Sequence, residues 1–246
     1  ALGYQSLFAN TTGVDNSAFG RSALALNTTG SNNNAFGYTA LYANTTGHSN
    51  IAIGKEALRY NTTAGNNTAV GYRAGYSNTT GANNTAIGEG SLYNNTASDN
   101  TALGVSALNG NTTGTHNIGI GRRPLLSNTS GIHNVSMGTD ALRSNTTGSD
   151  NVTVGYQAGY SNTTANNNTF VGENAGYSNT TSGLQAFFGE YAGRSTTGDR
   201  NTFIGQQAGW QVTSGQKNTI LGRYTGNQHG LDIRTSNNNI VLSDGD

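Results

Sequence analysis

Large apolar residues stand at a fixed interval along this chain, each followed at once by glycine. Those glycines are Gly3, Gly20, Gly37, Gly54, Gly71, Gly88, Gly104, Gly121, Gly138, Gly155, Gly172, Gly189, Gly205 and Gly222. The step between them is 17 residues, except from Gly88 to Gly104 and from Gly189 to Gly205, where it is 16. The consensus reads N-T-A-Φ-G-x-x-A-L-x-x-N-T-T-G-x-x, where Φ is large and apolar. A period of 17 is too short for two helices and a turn. It suits one coil of a parallel β-solenoid, with two short strands and two turns per coil. About fourteen such coils, stacked at roughly 4.8 Å each, predict a rod about 65 Å long.

Side chains alternate across a strand, so Φ and the alanine before it face opposite ways. The Φ residues are Phe19, Phe36, Ile53, Val70, Ile87, Leu103, Ile120, Met137, Val154, Val171, Phe188, Ile204 and Leu221, with Leu2 at the start. We expect them inside the coil, as its structural core. Alanine and glycine then form an outer face that lets a second backbone approach. The second strand carries Ala-Leu, as in Ala23-Leu24 and Ala40-Leu41. Where glycine replaces that leucine, an aromatic often follows: Tyr76, Tyr160, Tyr177 and Trp210. These are expected to return the lost volume, since a void in a packed interior costs stability.

The polar positions are equally periodic. Asparagine recurs four residues before the glycine, at Asn16, Asn33, Asn50, Asn67, Asn84, Asn100, Asn117, Asn134, Asn151, Asn168, Asn201 and Asn218, with Gln185 the exception. Asparagine tolerates left-handed backbone and bonds neighbouring peptides. Stacked copies can also bond one another as a ladder. This turn and the N-T-T turn (Asn10-Thr11-Thr12-Gly13, Asn44-Thr45-Thr46-Gly47) are expected on the outside. After Gly222 the rhythm fails. Leu231 to Thr235 and Asn239 to Ser243 read as two alternating strands around a turn. The chain therefore divides into a repeat domain, residues 1–222, and a C-terminal β segment, residues 223–246, leading into a further domain. It opens in mid-repeat, so we expect it to be a piece of a longer polypeptide.

Composition narrows the function classes. Hydrophobic residues make up 33% and charged residues 10%, well below the roughly 45–50% and 25% of ordinary globular domains. Disorder usually carries net charge as well; here the formal net charge is zero. Zero charge leaves no electrostatic footprint for nucleic acid. No apolar run approaches the length of a membrane span, so no membrane insertion is expected. The absence of cysteine excludes disulfides, thiolate metal sites and cysteine nucleophiles. One coil offers little apolar surface against the ordering cost of about 1–2 kcal/mol per residue. Association with further copies of the chain is expected to supply the difference.

The motif N-[TS]-A-Φ-G, as in Asn16-Ser17-Ala18-Phe19-Gly20 and Asn84-Thr85-Ala86-Ile87-Gly88, resembles the head repeats of trimeric autotransporter adhesins. Those are left-handed parallel β-rolls packed three about an axis, usually with a shorter repeat. The longer form with N-T-T-G is similar to bacteriophage tail-fibre proteins. In those, a segment like Asn237-Asn238-Asn239-Ile240-Val241-Leu242-Ser243 often precedes a self-cleaving intramolecular chaperone. The resemblance implies a homotrimer and an extracellular location, on a virion tail fibre or alternatively a bacterial surface. It also implies partners among other tail or surface proteins and a host surface glycan or protein.

Other chemistries fit the pattern less well. Glu173 and Glu190 follow the repeat glycine in consecutive coils, but a glycosidase pair needs a surrounding site; we read them as solvated carboxylates and expect no enzyme. His116 and His133 hold equivalent positions without a recurring acidic partner, so neither a metal nor a cofactor is expected. Adjacent threonines point to opposite faces of a strand, which disfavours an ice-binding or surface-adsorbing face. The aromatics Tyr76, Tyr160, Tyr177 and Trp210, if exposed, are candidate carbohydrate contacts. Arg122-Arg123-Pro124 is the least regular coil, because proline removes a ladder donor.

Overall fold

In the computed structural model, which describes residues 1–243, the chain is an all-β parallel β-solenoid. It divides between Arg123 and Pro124 into two compact units. The division falls in the coil where proline interrupts the pattern, not at Gly222. In the first unit, β1 (Ser17–Phe19), β2 (Asn34–Phe36), β3 (Ile51–Ile53), β4 (Thr68–Val70), β5 (Thr85–Ile87), β6 (Thr101–Leu103) and β7 (Ile118–Ile120) pair in sequence order, all parallel. Equivalent residues face each other: Ala18 lies beside Ala35, and Phe19 beside Phe36. Leu2, in the first and incomplete coil, forms a single bridge to Phe19. The 16-residue step leaves the register intact, with Thr85 beside Thr101. The missing residue is taken from the turn between Asn95 and Asn100, where one threonine of the consensus is absent.

The second unit repeats the arrangement with β8 (Val135–Met137), β9 (Val152–Val154), β10 (Thr169–Val171), β11 (Ala186–Phe188), β12 (Thr202–Ile204) and β13 (Thr219–Leu221). The C-terminal segment differs from expectation. A small antiparallel hairpin joins β14 (Asn227–Gln228) to β15 (Leu231–Asp232). Then β16 (Ile240–Leu242) pairs in parallel with β13. Asn239 also extends the asparagine ladder, donating through its backbone N–H to Asn218 Oδ1 at 2.9 Å. Residues 223–243 are thus one further coil of the same solenoid, lengthened by the hairpin, rather than a different module. The last three residues of the expected segment, 244–246, lie outside the described residues.

Each coil has one strand, not two. The Ala-Leu stretch is a turn. Ser22 and Leu24 take left-handed φ of 56° and 53°. The Ala23 N–H bonds Gly20 O within the coil, and the Leu24 N–H reaches Ala40 O in the next. A left-handed position favours glycine, so the backbone accepts glycine there in place of leucine.

The Φ residues are not the core. Phe19, Phe36, Ile53, Leu103, Met137, Phe188, Ile204 and Leu221 are exposed, and Val70, Ile87, Ile120, Val154 and Val171 are half-exposed. The reason is the shortness of the strand. In a three-residue strand only the middle side chain can point inward, and here it is the alanine before Φ: Ala18, Ala35, Ala52, Ala69, Ala86 and Ala102 are buried. The small face lies inside and the large apolar face outside, the reverse of the expectation.

The interior is filled by that alanine, by Ala-Leu from the turn, and by asparagine. Both asparagine series are buried rather than external. Asn33 donates through its backbone and Nδ2 to Asn16 Oδ1 at 3.0 and 3.2 Å, and through Nδ2 to Gly47 O at 2.8 Å. Asn50 and Asn67 repeat the pattern, and Asn151 repeats it on Asn134. Gln185 substitutes successfully, its Oε1 accepting from the Asn201 N–H at 2.9 Å. The asparagine of the N-T-T turn forms a second ladder: Asn44 Nδ2 donates to Asn27 Oδ1 at 2.7 Å and to Gly47 O at 2.9 Å. A buried amide left without partners costs about 1–3 kcal/mol, so each ladder holds only while its neighbours continue it. The glycine after Φ is equally constrained. Gly37 has φ 138°, and a Cβ there would lie 2.5 Å from Gly54 O.

Candidate functional site

Two surfaces stand out. The first is the outer face of the strands. In the first unit, Leu2, Phe19, Phe36, Ile53, Val70, Ile87, Leu103 and Ile120 form an apolar column, widened by Ile51 and Ile118. Phe19 and Phe36 stack at 4.8 Å with an interplanar angle of 7°. In the second unit, Met137, Val154, Val171, Phe188, Ile204, Leu221 and Leu242 continue the pattern. Continuous apolar patches of this kind mark interaction sites, whereas scattered exposed apolar residues do not.

The second surface belongs to the turn that follows the repeat glycine, in the first unit. The residue directly after the glycine alternates aromatic and cationic: Tyr4, Arg21, Tyr38, Lys55, Tyr72. The Arg21 guanidinium carbon lies 5.9 Å from both the Tyr4 and Tyr38 ring centres. Lys55 Nζ lies 6.0 Å from Tyr38 and 5.6 Å from Tyr72. The 17-residue period puts these side chains one above the other, which is the geometry of cation–π contact.

Beside this column, Glu56 is buried and accepts two charge-assisted bonds. Arg59 Nη1 donates to Oε1 at 2.9 Å, and Arg73 Nε donates to Oε2 at 2.6 Å. The Arg73 bond holds the Glu56 carboxyl below the usual carboxylate range, against the opposing effect of burial. The same bond raises Arg73. The Arg73 guanidinium is thereby fixed over Tyr72 and Tyr76, at 5.0 and 5.2 Å. Tyr76 meets Tyr60 edge-on at 5.0 Å and stacks on Tyr93 at 4.9 Å. Its hydroxyl is pushed up by Tyr60 first and by burial second.

In the next coil the pattern breaks. The second residue after the repeat glycine is Gly90, the one glycine at that position in the chain. Its neighbours there are Glu56, Arg73 and Ser106, all with left-handed φ and all carrying side chains. A Cβ on Gly90 would meet only Asn109 Nδ2 at 3.3 Å and Ser106 Oγ at 3.7 Å. The missing side chain opens a notch of about 220 Å³ lined by Tyr72, Arg73, Glu89, Gly90, Tyr93, Ser106 and Asn109. Asn109 Nδ2 donates to Gly90 O at 2.9 Å and frames one wall. The notch was legible in the sequence only as a lone glycine where all other coils have a side chain.

The aromatics expected to fill the interior lie outside it. Tyr160 and Tyr177 stack at 5.2 Å, Arg143 Nη1 donates to the Tyr160 hydroxyl at 2.6 Å, and Trp210 stacks on Tyr191 at 5.9 Å. In the coils of Gly172, Gly189 and Gly205 the interior volume is returned instead by Phe170, Phe187 and Phe203 in the alanine position of the strand, stacked at 5.2 and 4.9 Å. A larger open depression of about 770 Å³ lies in the last coil between Leu221, Tyr224, Leu231 and Leu242.

The remaining candidates lie apart from these two surfaces. Glu173 and Glu190 are exposed; Glu173 accepts from Asn174 at 3.3 Å and Glu190 from Gln206 at 2.8 Å. His116 lies 3.9 Å from Asp99, and His133 lies 3.3 Å from Asp150. Among the described residues no group of three His, Cys, Asp or Glu side chains is placed to hold a metal ion. Of the adjacent threonines, the first bonds the backbone of the next coil, as Thr28 Oγ1 does to Thr45 O at 3.1 Å, and is half-buried in several coils, whereas the second is exposed. The sequon asparagines Asn27, Asn44 and Asn61 are fully buried, with Nδ2 engaged in the ladder. No protein-family model matches the chain, and no curated protein or solved structure matches it either.

Proposed function

We propose that this chain is a structural fibre module: an extended homotrimeric β-roll, left-handed as in the adhesin heads it resembles, serving as shaft or head of a phage tail fibre in host-surface attachment. The observation that supports this is the apolar column on the outer face of the strands. A surface that repeats with the solenoid's own coil spacing needs a partner of the same period. A parallel copy of this chain has that period at every coil, and closed cyclic symmetry satisfies all copies at once. Burying the column also supplies the apolar area that a single thin coil lacks. A bacterial adhesin head would use the same roll and the same interface, so the two settings share one structural reading.

The test is the mass of the purified chain in solution by light scattering. Three times the 25.4 kDa of one chain is expected. Charges placed on the column, as in Phe36→Lys with Ile53→Lys and Leu103→Lys, are expected to yield monomers that keep the β-sheet circular dichroism. A wild-type monomer at all concentrations would sink the proposal.

A further inference from the structure

We infer that the Gly90 notch binds a single neutral pyranose ring of a saccharide. This does not rest on the fibre reading, because one chain supplies the whole lining and the notch sits on the turn after the repeat glycine, not on the strand face. Its volume of about 220 Å³ is below the roughly 300–1,000 Å³ of pockets for drug-sized ligands, and suits one ring. Tyr72, 39% exposed, and Tyr93 line the notch; Tyr76 takes one face of Tyr93 and Arg73 lies over Tyr72, so the aromatic faces left to a ligand are the second face of Tyr93 and the exposed part of Tyr72. Such faces stack on the apolar C–H side of a sugar, giving contact area at low entropic cost.

The polar lining answers the hydroxyl side of the ring. Glu89 and Ser106 can accept hydroxyl protons, and Arg73 and Asn109 are planar donors. Arg73 is already oriented: its Nε is held by Glu56, and its side chain lines the notch. Little ordering is left to be done on binding, which favours affinity. The charge balance selects a neutral ligand. Arg59 and Arg73 share Glu56, and Glu89 on the wall supplies the second negative charge, so the surroundings balance and a sugar carboxylate meets Glu89.

The test uses methyl glycosides of glucose, galactose, mannose, N-acetylglucosamine and glucuronic acid as probes, read by saturation-transfer NMR and titration on the full chain. At least one neutral glycoside is expected to bind. Gly90→Gln fills the notch with the residue that other coils carry at that position, Gln157 and Gln207. It is expected to weaken binding at least tenfold, and Tyr93→Ala likewise, with the thermal transition retained. Tyr156→Ala, an exposed aromatic outside the notch, is expected to leave binding unchanged. Four results would each overturn the inference: no probe binds, glucuronide alone binds, binding survives Gly90→Gln and Tyr93→Ala, or Tyr156→Ala weakens it equally. The oligomeric state, measured on the same samples, separates failure of the site from failure of the fibre reading.

Discussion

At the scale of single residues, the interior is a matter of paired volumes. In the coil of Gly20, the strand contributes Ala18 and the turn contributes Leu24. In the coil of Gly189 the sizes are exchanged: the strand contributes Phe187, and the turn has Gly193, whose Cβ would lie within 2.6 Å of the Phe187 ring. The sequence shows the leucine-to-glycine exchange plainly; the compensating side chain stands in the strand, at Phe187, and not beside the glycine, where this coil has Arg194. Alternation establishes that Φ and its predecessor face opposite ways; it does not say which way is in. A three-residue strand closed into so small a coil settles that in favour of the predecessor. Phe187→Ala alone leaves a cavity and is expected to cost about 3–5 kcal/mol. Gly193→Leu alone overpacks the same space and is expected to cost at least about 1–3 kcal/mol. The double variant recreates the Ala-Leu pairing of other coils, so its loss should be less than half of the sum. A double-mutant cycle by urea denaturation measures this coupling; additive losses would refute the pairing.

At the scale of the element, a coil is one short strand, a left-handed turn and two buried asparagine ladders. The period, the parallel stacking and the asparagine positions were all legible as repetition. The turn was not, because a leucine at positive φ, such as Leu58 at 48°, is rare and leaves no mark in a hydrophobic pattern. That turn also carries Glu56, nearly buried and bonded by two arginines from its own and the next coil. The Arg73 bond lowers the Glu56 pKa in the folded chain. A lowered carboxyl pKa contributes stability at neutral pH and loses it as pH falls through the folded-state value. Melting temperatures from pH 7 down to 3 should therefore show wild type above Glu56→Gln at neutral pH. The gap should narrow on acidification, as the wild-type carboxyl gains its proton. A gap that stays constant across that range would show that the ion pair contributes nothing.

At the scale of the whole molecule, stability is expected to be a sum over coils and the interfaces between neighbours. The hydrogen bonds of the ladders span one period: Asn27 to Asn10, Asn44 to Asn27 and Thr45 to Thr62 each reach 17 residues. Removing one full period, residues 21–37, joins Gly20 to Tyr38 and recreates the consensus across the junction. Each remaining coil then keeps neighbours of the same kind, with β1 facing β3 in place of β2. The deletion variant should fold, and its denaturant slope should fall by about one coil's share of the surface, roughly 7% for 17 residues in 246. Removing eight residues, 21–28, takes away less chain but leaves one coil without its buried asparagine and its Ala-Leu pair. That variant should lose more stability than the longer deletion, the opposite of what loss of chain length alone predicts. The comparison also bears on assembly. If identical copies meet along the apolar column, a whole-period deletion shortens every copy equally and preserves their registry, so the oligomeric state should be unchanged. The half-period deletion shifts the column of each copy against itself and should weaken association as well as folding. A whole-period deletion that destabilises as much as the shorter one would refute the additive picture, and with it the argument that a copy of this chain is the natural partner for its own repeat.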